Sequence, residues 1–171
     1  MIFVWLVAAI ILFVFGFVVL RGAPYVPSQR KYIRQAFMEL YPISKSDVLV
    51  DIGSGDGVVL REASKLGARS VGYEINPILI LISKLLSLQD KNISVRFVDF
   101  WLSHLPSDTT VVYVFATSSI IKKIKVWLQN ETNNLDRPIY LISYGFKIVG
   151  MNEQKKVGAY YLYRFNPLHT D

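Results

Sequence analysis

The stretch Val48-Leu49-Val50-Asp51-Ile52-Gly53-Ser54-Gly55-Asp56-Gly57 constrains this chain more than any other. A short apolar run ends in an acid, and glycines follow at alternate positions. Val48 to Ile52 reads as a buried strand. The glycines let the backbone turn sharply and let a ligand approach it with no Cβ in the way. Beyond Gly57 the pattern becomes helical, with Val59, Ala63 and Leu66 on one face and Gly67 as a stop. A second apolar run, Ser70-Val71-Gly72-Tyr73, then ends in Glu74. From strand to strand the unit is the size of a βαβ crossover, about 30 residues.

Strand, glycine turn and helix together predict a nucleoside site at the carboxyl ends of parallel strands, against a helix N-terminus. Glu74 is placed to bind both hydroxyls of a ribose. A dinucleotide fingerprint wants G-x-G-x-x-G/A, but here the third glycine is Gly57 and Val58 follows it. The pattern is acid-x-G-x-G-x-G. It resembles motif I of the class I S-adenosylmethionine (AdoMet) methyltransferases. AdoMet has no phosphate and carries a positive sulfonium, so an acid beside the turn suits it better than it suits a pyrophosphate.

The chain has 171 residues, 52% of them hydrophobic, enough for one domain with a proper core. There is no cysteine, which excludes disulfides, thiolate metal sites and cysteine nucleophiles. His104 and His169 stand far apart, so no metal site is expected. The net charge of +6 suits an anionic membrane surface, an acidic partner or nucleic acid. No compact Lys/Arg block points to nucleic acid.

Ile2 to Leu20 is a run of 19 residues without a charged or polar side chain. As a helix it would span roughly 28 Å, one hydrocarbon core. It is read as a transmembrane helix at 2–20 rather than a cleaved signal peptide, because no basic residue precedes it and no clean cleavage site follows. Arg21, Arg30, Lys31 and Arg34 follow the run, so the positive-inside rule puts the remaining chain on the cytoplasmic side of a single-pass membrane protein. In a eukaryotic host the membrane would be an organellar inner one. Residues 21–27 form a stiff linker with two prolines, and 28–171 form the domain.

Ser28 is expected to cap a helix running to Leu40, with Tyr32, Ile33, Ala36, Phe37 and Leu40 on one face. Asn76 and Pro77 open the next helix, and its apolar stretch Ile78 to Leu88 is expected to be buried against the sheet. Further strands are expected at Ile93–Val98, Thr110–Phe115, Pro138–Tyr144 and Val157–Phe165, the last paired with residues near Phe146 to Val149. A helix after Ala116-Thr117-Ser118 turns Ile120, Ile124, Trp127 and Leu128 inward. This order predicts a doubly wound, mostly parallel, Rossmann-like α/β sheet preceded by one N-terminal transmembrane helix.

Successive strands end in Asp51, Glu74 and Asp99. Asp99 is placed to accept from an adenine amino group, with Ile75 or Phe100 covering the ring. The stretches Asp51 to Gly57, Gly72-Tyr73-Glu74-Ile75-Asn76-Pro77 and Asp99-Phe100-Trp101, with Pro24-Tyr25-Val26-Pro27-Ser28, resemble a small class I family. Its characterised members are membrane-anchored protein-lysine N-methyltransferases acting on the c-ring protein of ATP synthase and the adenine nucleotide translocase. The resemblance covers about residues 1 to 130. It implies that Gly53, Ser54, Gly55 and Gly57 border the cofactor, Asp51 holds the methionine moiety, Glu74 the ribose, and Asp99 and Phe100 the adenine. Tyr25, Pro27 and Ser28 would close over the site, and Asp99, Trp101 and Tyr25 would position the acceptor. Val58 and Thr117 depart from the family, which often has arginine and proline there. Trp101 is equally open to a reading as core packing.

The implied cofactor is AdoMet, and the implied partner is a membrane-embedded protein with an exposed lysine, reached from a bilayer that holds the N-terminal helix. Two other readings stand beside it. One is a small-molecule or lipid methyltransferase. The other is a non-catalytic AdoMet-binding scaffold protein. A nicotinamide dehydrogenase is weaker than these, because Val58 breaks its fingerprint and no hydride site is evident.

Overall fold

The computed structural model describes residues 29–115 and 117–168, together with Ile2, Val4, Trp5, Leu6 and Ala9. The expected spanning segment at 2–20 and the linker at 21–27 lie almost wholly outside the described residues. Among the described residues, no helix is long and apolar enough to cross a membrane.

The chain alternates strand and helix as its apolar periodicity requires. Helix α1, Arg30–Gln35, runs on as one wider turn of π-helix, Ala36–Leu40. Then come β1 (Val48–Ile52), α2 (Val58–Ser64), β2 (Arg69–Glu74), α3 (Pro77–Leu86) and β3 (Ile93–Phe97). A single 3₁₀ turn, Phe100–Leu102, leads to β4 (Val111–Phe115). Helix α4 (Ser118–Leu135) and strands β5 (Ile139–Tyr144), β6 (Lys155–Val157) and β7 (Tyr160–Phe165) complete the fold.

These strands form one seven-stranded sheet in the order β3-β2-β1-β4-β5-β7-β6. It is parallel from β3 through β5, and β7 and β6 are antiparallel additions. The expected hairpin partner of the last strand is corrected. β7 pairs with β5 and with Lys155–Val157, not with residues 146–149.

The strand order reverses between β1 and β4, the switch point at which open α/β sheets bind ligands. Alternation along the strands separates two cores. Leu49, Val111, Tyr113 and Ile142 face α1, α2 and Ile80 of α3. Val50, Ile52, Val71, Val112 and Val114 face Ile121, Ile124 and Leu128 of α4. Ile120 and Trp127, expected inside, are only half-buried against this second core.

Two expectations about helices change. Gln29 occupies the N-cap of α1 without a side-chain bond, and Tyr32 is exposed while Ile33, Ala36, Phe37 and Leu40 are buried. Helix α3 packs on the sheet through a narrow edge only, and the rest of its apolar stretch is not buried. Only Ile80 and Ser83 are buried, and most of its aliphatic side chains face outward. Its period reports a stripe, and a stripe does not say which medium it meets.

Candidate functional site

The site is built at the carboxyl ends of β1 and β2. The turn after β1 is fastened to β2 through its backbone, with Gly53 N and Ser54 N both donating to the Tyr73 carbonyl at 2.8 and 3.1 Å. Gly53, Gly55 and Gly57 all have positive φ, +73°, +55° and +77°. Their surroundings differ. A Cβ built on Gly53 meets nothing within 4 Å, so this glycine borders open space. A Cβ on Gly57 would stand 2.1 Å from Ser83 Oγ, so this glycine lets α2 begin flush against α3. Ser54 is buried with its hydroxyl turned toward Gly72, where a Cβ would come within 2.5 Å of it.

Glu74 holds the turn together. Its Oε2 accepts from Gly55 N at 2.9 Å, and its Oε1 accepts from Ile75 N and Asn76 N, each at 2.8 Å. The carboxylate is thereby fixed, and Oε2 keeps capacity for a further donor. Asn76 then caps α3 through Ile78 N at 3.0 Å and Leu79 N at 3.4 Å.

Asp51 is buried at the end of β1, beside Gly72 and Tyr113 in register. Burial pushes its carboxyl well above the usual carboxylate range, and the nearby charges of Glu74 and Asp56 push it the same way. Asp56 is itself paired with Arg61 at 3.1 Å. Three acids thus crowd one turn, an arrangement that a cationic ligand would relieve.

β3 delivers the third strand-end acid. Val98 N donates to the Glu74 carbonyl at 3.0 Å, which sets Asp99 beside the end of β2. Asp99 Oδ1 accepts from Trp101 N at 3.1 Å and starts the 3₁₀ turn. Phe100 is half-buried against Trp127, with ring centroids 5.4 Å apart, and Trp101 lies on it at 4.2 Å. Trp101 is 39% exposed, so it is not a core side chain. Ile75 is half-buried at the same edge. Tyr25, Pro27 and Ser28 lie outside the described residues.

The structure adds an aromatic wall on the other side of the switch point, which the sequence does not foretell. Phe115 and Tyr144 end β4 and β5 as register partners, with ring centroids 5.1 Å apart, and Tyr144 stacks on Tyr160 at 4.6 Å. Gly145, at φ +86°, leaves room for the Phe115 ring, 3.4 Å from where its Cβ would be. The one signal in the sequence is a ring at the last position of each strand. The strand pairing that joins the rings has no local signature.

A reversed-order parallel sheet with a glycine turn flanked by strand-end acids defines the class I methyltransferase domain, the AdoMet-using class. The chain belongs to the family described as the ANTKMT methyltransferase domain, whose model matches residues 51–155. It is 31% identical over 119 residues to the lysine N-methyltransferase of the ATP synthase C protein from Xenopus laevis. That match covers 68% of this chain and 51% of the relative, so the chain spans about half of that protein's length. A protein-lysine N-methyltransferase of Saccharolobus islandicus (strain REY15A) is 29% identical over 141 residues, covering 78% of this chain and 83% of that one. Among solved structures, an RNA methyltransferase from Salinibacter ruber in complex with S-adenosyl-L-homocysteine superposes with a TM-score of 0.74 at 25% identity. It covers 85% of this chain and 97% of that chain.

The residues present fit AdoMet. Gly53 opens on free space, Glu74 has acceptor capacity left for a hydroxyl, and the carboxylates suit a sulfonium and an ammonium.

Proposed function

We propose that the chain is an AdoMet-dependent protein-lysine N-methyltransferase acting on a membrane protein close to the bilayer surface. The observation that carries the AdoMet part of this reading is the crowding of Asp51, Asp56 and Glu74 round the open Gly53 turn. The names of the Xenopus and Saccharolobus relatives favour a lysine acceptor. The uncharged run Ile2–Leu20 favours a membrane anchor, with the domain on the cytoplasmic side.

AdoMet supplies a methyl group already activated on sulfur. The protein's own work is to bind, orient and exclude water. In this reading Glu74 Oε2 takes a ribose hydroxyl, Asp51 faces the cationic methionine end, and Gly53 and Gly55 let the backbone come close. Ile75 and Phe100 flank the adenine, and Asp99 receives its amino group. The acceptor lysine approaches from β4 and β5. There Phe115 and Tyr144 strip water from its amine and favour the neutral, nucleophilic form. Trp101 and Tyr25 line its approach.

The test is titration of the full chain, in detergent, with AdoMet by calorimetry, followed by transfer of a radiolabelled methyl group to membrane proteins or to RNA. Binding plus label on protein lysines is expected. No binding by folded protein, or label on RNA alone, overturns the reading. Phe115→Ala is expected to bind AdoMet as the parent does and to transfer about tenfold more slowly, the order of a lost apolar contact in a substrate pocket.

A further inference from the structure

Helix α3 turns its apolar stripe to the outside. Ile78, Leu81, Ile82, Leu85 and Leu86 follow the i, i+3, i+4, i+7, i+8 spacing of one helix face, and they are 39% to 60% exposed. Phe97 is 71% exposed and shares its sheet face with the buried Val95, the face α3 covers. Exposed apolar patches of this kind mark interaction sites on soluble domains. We infer that the outer face of α3 docks on an anionic lipid surface, as a contact separate from the N-terminal segment.

Three features select lipid. From Ile75 to Leu88 the only charged residue is Lys84, and on the same sheet face α1 exposes Arg30 and Lys31 with no acid in its first turn. An apolar stripe whose own helix carries a single charge, the basic Lys84, on a sheet face with further bases on α1, suits an anionic headgroup layer. The stripe on α3 is purely aliphatic. It lacks the Trp, Tyr and Arg anchors that dominate protein interfaces and suits a partner that needs no directional bonds. Finally, α1 packs on this same sheet face, and in the sequence it follows the uncharged run Ile2–Leu20, of which Ile2, Val4, Trp5 and Leu6 are helical and exposed.

The consequence concerns orientation. α3 starts at Pro77, three residues after Glu74, so docking its length on lipid holds the mouth of the site against the headgroup layer. A lysine leaving the bilayer would reach the site there, and this last step alone rests on the proposed function.

The absence of cysteine allows clean single-site labelling. The full chain would carry nitrobenzoxadiazole at Leu81→Cys or Leu85→Cys, with Lys122→Cys on α4 as the control across the sheet. Vesicles would be phosphatidylcholine with about a quarter phosphatidylserine, an anionic content of the cytoplasmic-leaflet kind. Nitroxides on the upper acyl chain are expected to quench both α3 labels about twofold or more, the depth an interfacial helix reaches. They should spare the α4 label, and Lys84→Glu should weaken the quenching. Unquenched α3 labels overturn the inference. Water-like emission would then mean a bare face, and blue-shifted emission a protein surface covering it. None of these readings depends on methyl transfer.

Discussion

Gly55 N donates to Glu74 Oε2 at 2.9 Å, so the acid that would hold a ribose also locks the glycine turn. Glu74→Gln keeps an acceptor for Ile75 and Asn76 but presents an amide N–H where Gly55 needs an oxygen. A charge-assisted bond is worth about 1.5–3 kcal/mol. AdoMet affinity should therefore fall by roughly one to two powers of ten, read by calorimetry. An unchanged affinity would remove Glu74 from the site.

Gly53 and Gly57 should separate binding from packing. Both stand at positive φ, which costs an alanine about 1–2 kcal/mol. Gly57→Ala also collides with Ser83 Oγ, so its total penalty should be about 2–4 kcal/mol in denaturant unfolding. Adding Ser83→Gly should recover the steric part only. Gly53→Ala meets no neighbour, so it should lose about 1 kcal/mol of stability and yet weaken AdoMet by a larger factor. Equal effects of the two glycines on affinity would contradict this division.

How much of the fold and site is legible in the sequence depends on whether the determinant is local. The β1 turn is readable because positive φ at Gly53, Gly55 and Gly57 demands glycine whatever surrounds them. Asn76-Pro77 as a helix start is readable because a capping side chain and a proline at the first helical position are equally local, and the cap bonds follow. The outward stripe of α3 is not readable, since period fixes a face and the rest of the fold decides what meets it. The pairing of β7 with β5 and the Phe115–Tyr144 wall depend on long-range register, which no short window contains. Buried polar ties such as Glu131 to Leu105 N, 2.7 Å, and Tyr73 Oη to the His104 carbonyl, 2.8 Å, are equally non-local.

Glu62 fastens α1 to α2, and this should show in acid. Its buried carboxylate is bonded to Arg34 Nε and, at 2.7 Å, to Lys65 Nζ. Burial alone would raise its pKa, but the bonds from Arg34 and Lys65 outweigh that and hold it below the ordinary 4.5. A depressed folded pKa contributes stability that is present above the unfolded value and lost as pH falls through the folded one. Glu62→Gln should therefore cost about 1–2 kcal/mol at neutral pH, because both cations are half exposed and screened. The cost should shrink below pH 4.5. A pH-independent difference would show that shape, not charge, is what Glu62 supplies.

Asp51 runs the opposite way and ties stability to the ligand. Burial first, then Glu74 and Asp56, hold its pKa well above 3.8 in the folded chain. The folded state therefore keeps its proton longer than the unfolded state. Ligand-free stability should fall as pH rises from 3.8 toward the folded pKa and stay lowered above it. Asp51→Asn removes the charge that burial penalises, so it should raise the ligand-free midpoint at neutral pH and flatten that slope. A sulfonium or ammonium beside Asp51 favours its ionised form, so AdoMet should bind more tightly as pH rises through the same window. In Asp51→Asn that pH dependence should vanish and the affinity should drop about tenfold, the loss of one partly screened charge contact. Thermal midpoints and calorimetric titrations across pH read both halves. If Asp51→Asn destabilised the ligand-free chain at neutral pH, the ionised carboxylate would already be satisfied within the protein, and its assignment to the cationic end of the ligand would fail.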